Sequence, residues 1–118
     1  MIHKSIKVPL YHQVLQIIVC DDVEKEIDQV NKKYPINTER FDFAGYAEGV
    51  DKYNLILLNK KYLPDEAFAI STIAHEAFHV TNFISKRVGI KPNVNNDEAQ
   101  AYLLSWIVEQ VYKEFKKS

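Results

Sequence analysis

The chain has 118 residues, 47% of them hydrophobic and 26% charged, with a formal net charge of −1. That length suits one modest domain, residues 1–118, and the composition is that of an ordinary soluble globular protein. The near-neutral charge gives no electrostatic case for nucleic acid or an anionic membrane as a partner, and there is no low-complexity segment, linker or internal repeat.

Cys20 is the only cysteine, so no intrachain disulfide can form. That fits a reducing compartment. Residues 1–8 lack the long apolar core of a signal peptide, and the uncharged stretch from Val14 to Cys20 is too short to cross a bilayer. The expected location is the cytoplasm.

In chain order, residues 3–8 read as a short basic edge strand. Tyr11 to Cys20 is rich in Val, Leu and Ile and reads as a buried strand. Asp21-Asp22 offers a helix N-cap. Val23, Ile27, Val30 and Tyr34 then form one apolar helical face that ends before Pro35. The opposite face, with Glu24, Lys25, Glu26, Asp28, Lys32 and Lys33, is a solvated surface. Residues 36–40 read as loop. Phe41–Glu48 and Tyr53–Leu58, separated by a turn at Glu48–Lys52, predict a β-hairpin.

A second helix is announced by Leu63-Pro64-Asp65-Glu66 and stopped by Lys86, Arg87, Gly89 and Pro92. Its apolar stripe is expected at Ala67, Ile70, Ile73, Ala74, Ala77, Val80, Thr81 and Ile84. Thr72, His75, Glu76 and His79 fall on the adjoining stripe, which should line a cleft. A third helix runs from about Asn96, with Leu103, Trp106, Ile107, Val111 and Phe115 facing the core and a basic last turn of Lys113, Lys116 and Lys117. The expected class is α+β: a small, mostly antiparallel sheet of three or four strands with three helices against it.

Residues His75-Glu76-Ala77-Phe78-His79 read H-E-x-x-H. Residues four apart on a helix share a face, so both imidazoles point the same way and can hold one Zn²⁺. Glu76 is then beside the metal, placed to take a proton from a metal-bound water. Two surface histidines with a solvated glutamate would give the same five letters. The helix signals on both sides of the motif favour the site.

A catalytic zinc needs a third protein ligand. The remaining histidines, His3 and His12, lie far away near the N-terminus, and no histidine follows His79. Asn82 and Ser85 stand where a longer three-histidine motif needs glycine and histidine. Glu98, near the start of the third helix, is the leading candidate, because an antiparallel return would bring it to the same cleft. Asp97 is its local competitor, and Asn95-x-x-Glu98 also fits a capping pair that needs no metal.

His75-Glu-x-x-His79 followed by Glu98-Ala-Gln-Ala-Tyr102 resembles the gluzincin group of zincin-like metallopeptidases, above all the very small versions in prokaryotic and phage genomes. The resemblance covers residues 43–112. It implies a zincin-like fold with H-E-x-x-H on the second helix and the glutamate ligand on the third. It further implies zinc held by His75, His79 and Glu98, with Glu76 as general base in hydrolysis of a peptide or protein substrate. Larger relatives often carry an aspartate where Tyr102 stands, and they have a separate domain that supplies transition-state donors. Tyr46, Tyr53 and Tyr102 are the phenols considered for that role, although a core or surface aromatic explains each more readily. The alternative reading is a non-catalytic module that keeps the fold and binds a peptide or partner protein without cutting it.

Overall fold

The computed structural model describes residues 1–118. Its strands are β1 (Ile2–Val8), β2 (Gln13–Cys20), β3 (Gly45–Val50) and β4 (Tyr53–Asn59). Its helices are α1 (Val23–Lys33), between β2 and β3, then α2 (Glu66–Val88) and α3 (Glu98–Lys117), with a 3-10 turn at Lys60–Tyr62 before α2.

The α+β class and the three helices are as expected, but the sheet is mixed. Its order is β1-β2-β4-β3, with β1 antiparallel to β2, β3 antiparallel to β4, and β2 parallel to β4. The central parallel pairing replaces the mostly antiparallel arrangement and has a plain cause. Ile17–Cys20 and Leu55–Leu58 are unbroken runs of buried residues, hydrophobic on both faces. Such strands belong in the middle of a sheet covered on both sides. The two lie side by side, Ile17 opposite Ile56 and Val19 opposite Leu58. The weaker strands β1 and β3 take the edges.

Each face of the sheet has its own core. Leu15, Ile17, Val19, Ile56 and Leu58 pack against Ile73, Ala77, Val80 and Ile84 of α2 and Leu103, Ile107 and Val111 of α3. Ile18, Cys20, Leu55 and Leu57 pack against Val23 and Val30 of α1 and against Tyr34. The odd and even residues of one strand thus serve different layers.

The caps define the helices. Asp22 accepts from the Glu24 N–H at 3.2 Å, and Asp65 accepts from the Phe68 N–H at 2.7 Å. Asp65 is the cap itself, so Pro64 stands just outside the first turn. Gly89 closes α2 with φ of 82°, a left-handed conformation natural to glycine, and the Ile90 N–H returns to the Ser85 carbonyl at 2.8 Å. α3 then runs back along α2. Gln100 meets Ser85 at one end, and Glu66 accepts from Tyr112 and Lys116 at the other. No helix is long and apolar enough to cross a membrane.

The buried stripe of α2 is Ala69, Ile73, Glu76, Ala77, Val80, Thr81, Ile84 and Ser85. It is rotated toward β3 relative to the sequence expectation, and Ala67, Ile70 and Ala74 are exposed. Ile70 is 44% exposed while Ile73 is 0%. Ile73→Ala should therefore cost about 3 kcal/mol of stability, and Ile70→Ala less than about 1 kcal/mol. Urea unfolding of the two variants tests this; equal losses would refute the placement of α2.

Candidate functional site

His75, Glu76 and His79 lie in the middle of α2. Both histidines are exposed, and their Nε2 atoms are 3.2 Å apart. Two nitrogens bound tetrahedrally to one zinc at 2.0–2.1 Å would be about 3.3 Å apart. The pair therefore already has the spacing of two adjacent zinc ligands. The His75 and His79 rings meet edge to face at 4.9 Å, and His79 stacks on Phe83 at 6.4 Å. That stacking steadies the second imidazole.

Glu76 is only 7% exposed. It is held between α2 and the edge strand β3, where residue 45 is glycine. A Cβ at Gly45 would fall 2.8 Å from Glu76 Cγ and 2.7 Å from Thr72 Cγ2. At Gly49 it would fall 2.3 Å from Arg87 Nη2 and 2.9 Å from Phe83 Cδ2. With Ala47 between them, these small residues let α2 lie directly on β3. No lysine or arginine pairs with Glu76. Burial pushes its carboxyl above the usual range, and the neighbouring His75 and His79 oppose that shift.

The structure places the other expected residues elsewhere. Glu98 is the exposed first residue of α3. Its turn lies level with Ser85, the residue that Gln100 meets at 3.3 Å. Ser85 is six residues past His79, about 9 Å along the helix axis. The Asp97–Leu104 segment faces Phe78, Thr81 and Asn82, a side of α2 that carries neither histidine. No group of three or more His, Cys, Asp or Glu side chains is gathered closely enough to hold a metal. The donor set fits zinc at two positions, and the third is not assembled. His3 bonds Gln16 at 2.6 Å on β1, and His12 lies in the β1–β2 turn.

None of the considered phenols stands beside the histidine pair. Tyr46 packs on the α1 side of the sheet, the face away from α2, and donates to Glu48 at 2.8 Å. Burial and that carboxylate push its phenol up to about 12. Tyr53 lines a hollow with Gln16 and Tyr34, also away from α2. Tyr102 is 72% exposed and sits with Pro9, Leu10, Tyr11 and Trp106.

Two features escaped the sequence reading. One is the alternation Gly45-x-Ala47-x-Gly49, a strand face without side-chain bulk, which signals a helix pressed onto it. The other is Arg87. It reads as an ordinary basic residue in a last turn, yet it reaches across Gly49 to donate to Gln13 at 3.0 Å and Asn54 at 2.7 Å. No protein-family model matches the chain, and no curated protein or solved structure shows significant similarity to it.

The raised carboxyl of Glu76 has a signed consequence for the metal-free chain. Burial favours the protonated form, so the folded state holds this proton to higher pH than the unfolded state does. Its stabilisation is complete below the unfolded value, near 4.3, and is lost as pH rises through the folded value. Glu76→Gln removes that loss. Chelator-treated Glu76→Gln should match the parent near pH 4 and exceed it at pH 7 in urea midpoint. A constant difference across this range would refute the buried, unpaired carboxylate.

Proposed function

We propose that this chain is a small zinc-dependent peptidase whose centre is built on α2. The observation that supports the reading is the histidine pair, 3.2 Å between Nε2 atoms, with a buried and unpaired carboxylate one residue away. The 3.2 Å spacing also fits a hydrogen bond from one imidazole N–H to the other ring nitrogen; the H-E-x-x-H order around the pair is what favours a metal.

In this reading His75 and His79 hold zinc, and Glu98 supplies the third ligand. Glu98 reaches the pair only if the first turn of α3 shifts toward it. Asp97 makes no side-chain cap bond at that turn, and Glu98 is exposed. Zinc, when bound, supplies Lewis-acid polarisation of a carbonyl. The chain's own work is done by Glu76, placed beside the histidines to accept a proton and return it to a leaving amine. The partners in this reading are a peptide or protein substrate in the cytoplasm. The placement of Glu98 favours one second reading, a non-catalytic module that binds a peptide on the same elements.

Metal and turnover separate the two. Protein purified without added metal or chelator should carry close to one zinc per chain. Glu98→Ala should lower that content without unfolding the chain. Full retention would move the third ligand elsewhere, and absence of zinc at micromolar supply would favour the binding module.

Glu76→Gln should keep the metal and lose roughly 10²–10⁴-fold in turnover of a zinc-dependent peptide substrate. Parental turnover in that variant would remove Glu76 from the mechanism.

A further inference from the structure

β3 is an edge strand, and its alternation sorts its backbone groups into two sets. The Asn59 N–H donates to the Ala44 carbonyl at 2.9 Å. Residues 46, 48 and 50, which follow at intervals of two and pair with Leu57, Leu55 and Tyr53, therefore turn their backbone groups toward β4. Gly45, Ala47 and Gly49 turn theirs outward, and no strand or loop hydrogen bond takes them up. The three residues with free backbone groups are the same three that α2 covers.

Beside this edge, His75, His79, Phe83 and Arg87 recur every four residues and form one ridge of α2. The ridge and the strand run together. Glu76 lies against Gly45, and Phe83 and Arg87 lie against Gly49. Arg87 clamps Gln13 and Asn54 through one nitrogen, Nη1. Its other terminal nitrogen, Nη2, lies at Gly49. None of the chain's ion pairs includes Arg87. Burial disfavours its charge, while Tyr34 and Asp51 favour it without pairing with it. A guanidinium presents a planar fork of donors matched to a carboxylate.

In the peptidase reading an extended peptide pairs with the free edge of β3 as a fifth strand; we propose that Arg87 binds a carboxylate side chain on that peptide, four residues from the residue opposite Gly45. The spacing is that between Gly45 and Gly49. Peptide positions four apart share a face of the sheet, here the face toward α2. Backbone pairing gives affinity without sequence preference, and Arg87 supplies the selection. The inference deepens the peptidase reading and rests on it only for the claim that cleavage occurs beside Glu76. Its substrate class is an extended segment with an aspartate or glutamate four residues from that point.

The test uses full-length Glu76→Gln protein, so that no peptide is cut, with and without zinc. The probes are fluorescein-labelled nonapeptides of serine, threonine and valine carrying one glutamate, moved a residue at a time, and their glutamine counterparts. Fluorescence anisotropy should show one register in which glutamate binds about tenfold tighter than glutamine. Amide resonances of Gly45, Ala47 and Gly49 should shift on binding. Adding Arg87→Gln should reduce the glutamate advantage to less than about twofold, with binding of the glutamine peptides retained. Adding Arg87→Lys, which keeps the charge but loses the fork, should leave about threefold. If loss of the Gln13 and Asn54 contacts unfolds Arg87→Gln, the lysine variant decides.

Equal affinity for glutamate and glutamine peptides would overturn the proposal. So would a glutamate preference that survives loss of Arg87, or sedimentation as a dimer that peptide does not dissociate, since a second copy would then hold β3. Cleavage by the parent chain without acidic preference upholds the peptidase and overturns this inference. Acid-selective binding without cleavage does the reverse.

Discussion

The close approach of α2 to β3 is the constraint on which the candidate site depends. A helix usually packs on a sheet through side chains of both elements. Here the strand contributes almost none, because residues 45, 47 and 49 are Gly, Ala and Gly. Thr72, Glu76, Phe83 and Arg87 fill the space where strand side chains would stand. Glu76 is thereby buried without a partner, Arg87 reaches over the strand to Asn54, and the backbone of β3 runs directly beside the histidine ridge. A larger residue at position 45 would force Glu76 aside, since the obstructing contact is at its Cγ, near the root of the side chain.

That constraint can operate only because the centre of the sheet is rigidly placed. β2 and β4 are apolar on both faces and bury Leu15, Ile17, Ile18, Leu55, Ile56, Leu57 and Leu58 almost completely. Two layers must cover them. α1 takes one face, and α2 with α3 takes the other, α2 lying over β3 and β4 and α3 reaching β1 and β2. The histidine ridge is the flank of α2 that remains once its sheet side and its α3 side are occupied. Exposure of His75 and burial of Glu76, a single residue apart, follow from this position at the rim.

Much of this was legible in the chain. The caps at Asp22 and Gly89, the start signal near Pro64 and Asp65, the spacing of Val23, Ile27 and Val30, and the β3–β4 hairpin are local signals, and local signals place elements well. The parallel pairing of β2 with β4 is not local. Its trace is the lack of alternation in Ile17–Cys20 and Leu55–Leu58, a cue to burial on both faces that does not name the neighbouring strand. The face of α2 was displaced for a similar reason. Ile70 and Ala74 look like core residues by period, but Gly45 and Gly49 draw the helix toward β3 and bury Glu76 and Ser85 instead. Within the site, the His75–His79 pairing is a matter of helical geometry alone. The place of Glu98 depends on how α3 returns along α2, and Arg87 gains its partners from residues 33 and 74 positions away.

The carboxylate of Glu76 bears on why such an arrangement exists at all. Stability alone favours an apolar residue or a glutamine at a site 7% exposed with no cation beside it. Burial raises the carboxyl, and the adjacent imidazoles only partly oppose it. Proteins retain such costs where chemistry or recognition needs them. Arg87 differs: it is exposed and donates to Gln13 and Asn54, and it stands over Gly49 with no acid to pair it. An unpaired carboxylate and an unpaired guanidinium stand four strand residues apart along one free edge. In the proposed peptidase, a substrate that reaches both groups is extended and aligned with β3.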